Sequence, residues 1–288
     1  MRDASLQAVE DGPTGAVAPV VVFEHVALAF DDTVVLSDVS FTLERGHTKI
    51  ILGASGSGKS TALKIITGLL KPDAGAVWVN GRRINELGER ELMDVREDLG
   101  LIFQEGALFD SLTVRENVGY KLYEETALPI EQIDRRVEEV LGFIGLSAHV
   151  DKLPSELSGG QRRRVAIARA MAFKPRILLY DEATTGLDPI TAITVNDEIV
   201  KLRDLEGVAS IVVTHQLRDA FYVATHMATR RADGVVAIGP ATEEKAREAE
   251  FIMLRNGRAV ALVMGAGIFA FAMFSQALIT GAPLGLPG

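Results

Sequence analysis

The stretch that decides the fold is "TKIILGASGSGKSTALKII", residues 48–66. It begins with a short apolar run typical of a buried strand, continues as a turn rich in Gly and Ser, and ends in apolar positions spaced as on a helix. Its centre fits the pattern G-x-x-x-x-G-K-[ST] in full, in the strand, turn and helix context that the pattern requires. The backbone N–H groups of such a turn bind phosphate groups. The candidate phosphate-binding residues are Gly53, Ala54, Ser55, Gly56, Ser57, Gly58, Lys59, Ser60 and Thr61.

The chemistry expected of this turn is phosphate binding together with a metal ion. Lys59 is placed to reach the β- and γ-phosphates of a nucleotide, and the Ser60 hydroxyl to ligate Mg²⁺. A flexible Gly/Ser turn before a helix is the alternative explanation, and the strand before the turn and the helix after it disfavour that alternative. Nucleotide binding is therefore our first expectation.

A second stretch, "RILLYDEATTGLDP" at 176–189, supplies the other half of a nucleotide-hydrolysing site. Its apolar residues predict a buried strand that ends at Asp181, where parallel sheets place their ligands, and a carboxylate there holds Mg²⁺. Glu182 follows directly and is expected to polarise the attacking water as general base. Two further apolar segments end in polar groups that can reach the same crevice. Gln104 follows "GLIF" and can bind Mg²⁺ or the attacking water, and His215 follows "SIVVT" and can reach the γ-phosphate.

Apolar patterns along the chain indicate an α/β fold. Alternating segments from Val20 to Leu43 predict an N-terminal antiparallel β subdomain, and later strand-like and helix-like segments alternate as in a mainly parallel core sheet. Residues from about 105 to 175 contain helix-like patterns without a convincing strand, which indicates an inserted helical subdomain. We expect a flexible leader at 1–19, a nucleotide-binding domain at 20–235, a hairpin region at 236–258 and an uncharged apolar tail at 259–288.

The composition excludes several classes of function. The 288 residues carry a formal net charge of −9, which argues against a nucleic-acid partner, since such partners select a clustered basic surface. The chain contains no Cys, which excludes disulfides, thiolate metal sites and a thiol nucleophile, and which fits a reducing compartment. The N-terminal stretch lacks the basic and apolar regions of a secretory signal.

Five motifs in this order carry a family resemblance: "GASGSGKS", "FQ", "LSGGQ", "LLYDEATTGLD" and "VVTH". The segment from about 20 to 230 resembles the nucleotide-binding subunit of an ABC transporter. The resemblance implies a P-loop NTPase fold, ATP and Mg²⁺ as cofactors, and ATP hydrolysis as the activity. It also implies that Phe30 stacks on adenine, that Gln104 lies in the Q-loop and Asp188 in the D-loop, and that His215 is the switch histidine.

In this family, residues that match Ser158, Gly159, Gly160 and Gln161 bind the ATP held by a second copy of the chain, arranged head to tail. The resemblance therefore implies an ATP-dependent homodimer with two shared sites, in which N–H groups at a helix start meet the γ-phosphate. We interpret Ser158 and Gln161 as part of this ligand site, because a mere helix start does not explain why they flank two glycines. The run Arg162 to Arg164 is interpreted as a solvated helix face.

The motifs form one nucleotide-binding domain without a six-helix membrane domain, which implies a separate integral-membrane permease and a peripheral location at the cytoplasmic face of the inner membrane. Tandem translation factors and coiled-coil chromosome proteins of the family have organisations that this sequence lacks. "GALFDSLTV" at 106–114, "KLPSELSGGQ" at 152–161 and "GLDPIT" at 186–191 resemble the ATPases of Mla and Mce phospholipid transporters, which implies an Mce-domain lipid-binding protein as a further partner. An importer of polar amino acids or other small solutes is the alternative, although many such ATPases carry charged residues or His where Gly106 and Asp110 stand.

The C-terminal stretch has two parts. "EFIMLRNGRAV" at 250–260 predicts a strand, a turn at Asn256 and Gly257, and a second strand. After Arg258 an uncharged, mostly apolar stretch runs to residue 288, and about 20 residues of it match the length of a bilayer crossing. Three interpretations stay open: a membrane-inserted tail beside the permease, a helix that is buried or covered by a partner, and a reading-frame error near the 3′ end of the gene.

Overall fold

The computed structural model of the protein describes residues 18–104 and 106–264. The expectations for the leader up to residue 17 and for the tail beyond residue 264 lie outside the described residues. The strands are β1 Val21–Phe30, β2 Thr33–Leu43, β3 Thr48–Leu52, β4 Ala74–Val79, β5 Arg82–Arg83, β6 Leu99–Ile102, β7 Ile177–Asp181, β8 Ala209–Thr214, β9 His226–Arg230, β10 Val236–Pro240, β11 Ala249–Arg255 and β12 Arg258–Met264. The α-helices are α1 Lys59–Ile66, α2 Glu89–Glu97, α3 Val114–Glu125, α4 Ile130–Phe143, α5 Gly159–Ala172, α6 Pro189–Glu206, α7 Leu217–Thr225 and α8 Glu243–Ala246.

The larger sheet is mainly parallel, as the sequence predicts. Its strand order is β12-β11-β3-β8-β7-β6, and each neighbouring pair from β11 to β6 is parallel. Strands β3 and β8 are buried along their whole length, which is the apolar pattern of strands covered on both faces. A second, antiparallel sheet has the order β2-β1-β4-β5, which agrees with the expected N-terminal β subdomain.

The larger sheet separates two hydrophobic cores, because neighbouring side chains of a strand point to opposite faces. Ile50 and Leu52 of β3 pack into the core on the side of α3, α4, α5 and α6. Ile51, between them, packs into the core shared with α1 and the antiparallel sheet. The carboxyl ends of β3 and β7 are therefore fixed from both sides, and the motif residues follow directly after these ends.

The chain between β6 and β7 is helical where the structure describes it. Residues 106–176 contain α3, α4, α5 and two short 3-10 segments at Ser147–His149 and Pro154–Glu156, and no strand. Helices α3, α4 and α5 pack on one another through a shared apolar core that includes Val118, Val137 and Ile167. This arrangement agrees with the helical region indicated by the sequence.

The predicted C-terminal hairpin is present, and its turn residues Asn256 and Gly257 both have positive φ, 49° and 73°. What the sequence pattern does not reveal is that β11 joins the larger sheet parallel to β3, where the Lys49 ammonium forms an ion pair with Glu250. Strand β12 continues to Met264, so the first residues of the uncharged stretch belong to the hairpin. The three interpretations of the rest of that stretch concern residues outside the described ones. Within 18–104 and 106–264, no helix combines the length and the apolarity needed to cross a bilayer.

Candidate functional site

A pocket of about 690 Å³ opens where the phosphate loop, β7 and β8 end. It collects most of the residues that the sequence predicts for nucleotide binding and hydrolysis. Two lining residues, Val35 and Thr185, were not predicted. Its lining residues are Phe30, Val35, Gly53, Ala54, Ser55, Gly56, Gly58, Lys59, Ser60, Thr61, Gln104, Glu182, Thr185 and His215.

The loop before α1 is shaped as a receptor for anions. Gly58 precedes the helix with φ of 98°, and a Cβ atom there would lie 2.7 Å from Leu36 Cδ2 and from the Val35 carbonyl oxygen, so only Gly fits. Having no side chain, Gly58 leaves the first N–H groups of α1 without a side-chain acceptor. The Ser57 hydroxyl is buried and has no hydrogen-bond partner within the described residues. These unsatisfied donors fit the oxygen atoms of a phosphate group.

Lys59 lies at the floor of the pocket, with 4% of its surface exposed. Its ammonium donates to the carbonyl oxygens of Gly53 and Ala54, both at 3.0 Å. Burying an ammonium group costs free energy unless the group is paired. These two bonds satisfy the ammonium of Lys59 and hold it against the phosphate loop. The cation therefore faces the same space as the free N–H groups of α1.

Ser60 and Asp181 fit a magnesium site. The Ser60 hydroxyl donates to Asp181 Oδ1 at 2.8 Å, which brings a residue of α1 to the end of β7. Asp181 is not itself part of the pocket lining, but it reaches the pocket through this bond. In the described chain, no group of three or more His, Cys, Asp and Glu side chains could hold a metal ion by itself. One hydroxyl and one carboxylate suit Mg²⁺, which takes few protein ligands and completes its shell with water and phosphate oxygens.

The Glu182 carboxylate lies close to three polar or charged side chains of the pocket. Its Oε2 accepts from Thr185 Oγ1 at 3.0 Å and lies 2.9 Å from His215 Nδ1, while Oε1 lies 3.4 Å from the Lys59 ammonium. Burial raises the pKa of this carboxyl, but the hydrogen bonds from His215 and Thr185 and the nearby charges of His215 and Lys59 outweigh burial, so its pKa lies below the ordinary value. Glu182 thus stays ionised at neutral pH and can accept a proton.

The Glu182 backbone has a positive φ of 50°, a conformation that costs free energy for a residue other than Gly. Its N–H donates to the Val213 carbonyl oxygen at 3.0 Å. This bond fixes the bend at the end of β7, and the bend turns the side chain of Glu182 toward the phosphate loop.

Phe30 and Gln104 both line the pocket. Phe30 ends β1 with 48% of its surface exposed, so its ring is available for stacking. Gln104 follows β6 and lines this pocket as well as a neighbouring cavity of about 450 Å³. The second cavity contains Gly159 at the start of α5, and it shares Gln104 and Thr185 with the first pocket.

Ser158, Gly159, Gly160 and Gln161 do not line the first pocket, so a single chain does not bring them onto its own phosphate loop. Ser158 caps α5: its Oγ accepts from the Gln161 N–H at 3.2 Å, and Gln161 Oε1 accepts from the Ser158 N–H at 2.9 Å. This reciprocal capping box explains why the two polar residues flank the glycines, contrary to our reading of the sequence. The S-x-x-Q spacing was the signal that could have revealed it.

The interpretation of Arg162 to Arg164 as a solvated helix face is wrong for Arg163 and Arg164. Arg163 is buried and donates to the Thr185 carbonyl oxygen at 3.2 Å, and Arg164 donates to the Ile144 carbonyl oxygen at 3.0 Å. Arg162 is exposed but still donates to a backbone carbonyl, that of Leu157. The guanidinium groups tie α5 to its surroundings, because each can satisfy carbonyl oxygens that would otherwise lack a donor.

Asp188 caps α6 and does not line the first pocket. Its Oδ1 accepts from the N–H groups of Ile190 and Thr191, both at 3.1 Å. The hydrogen bonds from Thr191 lower the pKa of this carboxyl. The carboxylate is thus occupied by its own helix, and its expected part in nucleotide binding stays a prediction.

Comparison with known proteins adds to this geometry. Residues 36–185 match the family described as ABC transporter. The chain is 40% identical over 228 residues to the methionine import ATP-binding protein MetN of Bifidobacterium longum, covering 77% of this chain and 57% of that protein. It is 43% identical over 205 residues to the protein TRIGALACTOSYLDIACYLGLYCEROL 3, chloroplastic, of Arabidopsis thaliana, covering 65% of this chain and 59% of that protein. Further methionine import ATP-binding proteins match at 38–42% identity. The chain thus spans about three fifths of the length of the curated relatives it matches.

The fold also matches a solved structure. The ATP-binding cassette MJ0796, described as a dimer in a post-hydrolysis state bound to ADP and Pi, aligns with a TM-score of 0.69 and 31% identity. The alignment covers 86% of this chain and 99% of that one. The expected fold, with its mainly parallel core sheet, antiparallel β subdomain and helical region, is confirmed. The chain belongs to the ABC transporter family, as an ATPase cassette.

Proposed function

We propose that two copies of this chain bind ATP head to tail, hydrolyse it, and thereby drive a separate membrane permease. The observation that carries this proposal is the convergence of Lys59, Glu182 and His215 in one pocket, with Glu182 within 3.4 Å of the lysine and 2.9 Å of the histidine. A cation for the phosphates and an ionised base for the water then lie side by side.

In the proposed mechanism the phosphates lie on the N–H groups of the loop and of α1, with Lys59 against the β- and γ-phosphates. The Phe30 ring stacks on the adenine. Glu182 takes the proton of the attacking water, and His215 keeps the carboxylate in place and contacts the γ-phosphate. Ser60 and Asp181, with Gln104, would hold Mg²⁺, which would neutralise phosphate charge when bound.

The second half of each site comes from the partner copy in this proposal. Residues 158–161 lie outside the pocket of their own chain, and the N–H groups at the start of α5 are directed by the cap at Ser158. Placed on the γ-phosphate of the other copy, they complete the site only while ATP is present. ATP then links the two copies, and hydrolysis releases them.

The cargo proposed first is a small polar solute such as an amino acid, taken up by an importer. The methionine import names among the relatives support it. The permease would recruit the chain to the cytoplasmic face of the inner membrane as a peripheral subunit. The D-loop part assigned to Asp188 belongs to the same proposal.

Phospholipid transport of the Mla or Mce type is the second candidate. It rests on "GALFDSLTV" at 106–114 and on the plant relative, whose name is that of a galactolipid. The methionine import relatives do not support it, and an Mce-domain partner has no support among the relatives reported above.

Co-purification separates the two cargoes. The full chain carrying Glu182→Gln, tagged at its N-terminus, is isolated from native membranes with Mg-ATP, and partners and lipids are identified by mass spectrometry. A permease with a solute-binding protein supports small-solute import. A permease with an Mce-domain protein and bound phospholipid replaces import by lipid transport, and recovery of the chain without any permease contradicts the transport proposal. Lys59→Ala, purified in parallel, shows which partners depend on ATP.

A further inference from the structure

The cap at the start of α5 is in contact with a third side chain, that of His149. Gln161 uses Oε1 to accept from the Ser158 N–H at 2.9 Å, which leaves its amide nitrogen pointing away from the cap. That nitrogen lies 3.1 Å from His149 Nε2. The chain Ser158, Gln161 and His149 therefore forms one connected set of hydrogen bonds.

The direction of each bond follows from the first one. The Ser158 N–H can only donate, so the Gln161 amide presents its oxygen to Ser158 and its NH₂ group to His149. His149 Nε2 must then be the acceptor, and its proton resides on Nδ1. His149 Nδ1 is buried and has no hydrogen-bond partner within the described residues. A buried donor without a partner costs free energy, so stability alone does not account for this arrangement.

The backbone that carries His149 is firmly held. His149 ends the 3-10 segment that follows α4, and the next residues bond to the first turn of α3. The Val150 carbonyl oxygen accepts from the Arg115 N–H at 2.9 Å, and the Lys152 carbonyl oxygen accepts from the Val114 N–H at 2.8 Å. His149 is thus a fixed point against which the Gln161 side chain is oriented.

From this geometry we infer that His149 is a positioning residue of the ATP-dependent dimer. It holds Gln161, which keeps the Ser158 cap closed and the start of α5 aimed at the nucleotide of the second copy. The inference rests on the proposed function, because it assigns a role in the shared site. Replacing His149 weakens the capture of the second copy and leaves the nucleotide pocket of the same chain intact.

The test is made in the full chain with Glu182→Gln, so that ATP is not consumed. Dimer formation is followed by light scattering against ATP concentration, and binding to the single chain by fluorescence of an ATP analogue. His149→Ala removes the acceptor, and we expect the ATP concentration for half-maximal dimerisation to rise about three- to tenfold, the effect of one lost hydrogen bond. Analogue binding and the thermal midpoint should stay close to those of the parent.

His149→Gln is the conservative variant. Its side-chain oxygen is as many bonds from Cβ as His149 Nε2, so it can accept from Gln161 and should restore dimerisation. His47→Ala, a change at the far end of β3 from the phosphate loop, is the matched control and should behave like the parent. Unchanged dimerisation in His149→Ala, or no recovery in His149→Gln, would overturn the inference. If the Glu182→Gln parent itself formed no dimer with ATP, the proposed function would be wrong. This result is distinguishable from a failure of the inference on His149, in which the parent dimerises.

Discussion

At the residue scale, the two charged groups Lys59 and Glu182 of the pocket already have partners that orient them. Lys59 is held by the carbonyl oxygens of Gly53 and Ala54, and Glu182 by Thr185 and His215. Preorganised groups of this kind need little rearrangement when the nucleotide arrives. The positive φ of Glu182 is part of that arrangement, since the bend at the end of β7 aims the carboxylate.

Lys59 should dominate nucleotide affinity. Lys59→Ala removes the ammonium expected to contact the β- and γ-phosphates, and hydrogen bonds to charged groups contribute about 1.5–3 kcal/mol, so we expect ATP binding to weaken about 10- to 100-fold. Titration calorimetry with ATP measures the change. Lys64→Ala, an exposed lysine on the same helix, is the control and should bind as the wild type does. If Lys59→Ala and Lys64→Ala bound ATP with equal affinity, Lys59 would not be part of the nucleotide-binding site.

The sequence reveals pocket residues when they lie within one short motif. The loop from Gly53 to Ser60 and the pair Asp181 and Glu182 are each continuous, so spacing alone predicts their shared site. Val35 reaches the pocket from β2 and carries no such signal. The sequence gives no signal for His149 either, because its contact with Gln161 depends on how α4 and α5 pack.

At the element scale, α5 starts close against α6. A Cβ atom on Gly160 would lie 2.0 Å from Thr191 Cγ2, far below any real contact, so Gly160 is required for this helix pair. The sequence shows that Gly159 and Gly160 are adjacent, but it does not show why Gly is needed at position 160. The reason lies on another helix, about thirty residues away along the chain.

Gly160→Ala should therefore lower the free energy of unfolding by about 1–3 kcal/mol, the usual effect of overpacking. In a Thr191→Ser background the clashing methyl group is gone, and the same change should be close to neutral. Urea unfolding of the four chains, wild type, both single variants and the double variant, measures the coupling. A Gly160→Ala protein as stable as the wild type would contradict the close approach of the helices.

Helix α6 is fixed at its other end by a buried ion pair. Asp204 accepts from Arg203 Nε at 2.7 Å and from the Ala228 N–H of β9 at 2.7 Å, and both side chains are almost fully buried. Burial raises the pKa of the Asp204 carboxyl, but the bonds from Arg203 and Ala228 and the Lys245 charge outweigh it, so the pKa is lowered. The stability that this carboxylate contributes is thus present above about pH 4 and is lost as the pH falls through the lowered pKa.

Asp204→Asn should lower the free energy of unfolding at pH 7 by about 3–5 kcal/mol, because it leaves the buried Arg203 without its counter-charge. The difference in the free energy of unfolding between Asp204→Asn and the wild type should narrow below about pH 4, where the wild-type carboxyl also becomes protonated. Urea unfolding at several pH values tests both statements. Asp32→Asn, at an exposed turn, is the control. If the difference in free energy of unfolding between Asp204→Asn and the wild type did not change with pH, the stabilising role of the ionised Asp204 would be contradicted.

Strand and helix positions follow from local patterns, but their partners do not. The sequence predicts the hairpin of β11 and β12, since its two strands are separated only by Asn256 and Gly257. It does not predict that β11 lies beside β3, about 200 residues earlier, because that pairing depends on the whole sheet being formed.

At the scale of the whole molecule, the nucleotide pocket and the start of α5 are separate parts of one surface. The pocket contains the Lys59 cation and the ionised Glu182 carboxylate, while Gly159 at the start of α5 lines a neighbouring cavity that shares Gln104 with the pocket. In the proposed function, each part is one half of a site, and a head-to-tail pair of chains brings the two halves together. In the proposed transporter the cargo would depend on the permease, because the residues of this pocket do not determine it.

If ATP joins two copies of this chain, light scattering of Glu182→Gln during gel filtration will detect the dimer. Replacing the proposed base should slow hydrolysis about 100- to 10,000-fold, so the ATP-bound form accumulates. Without nucleotide we expect the mass of one 31.0 kDa chain. We expect it to double with Mg-ATP and to stay unchanged with ADP. A chain that binds ATP at saturation and remains a monomer would contradict the shared site.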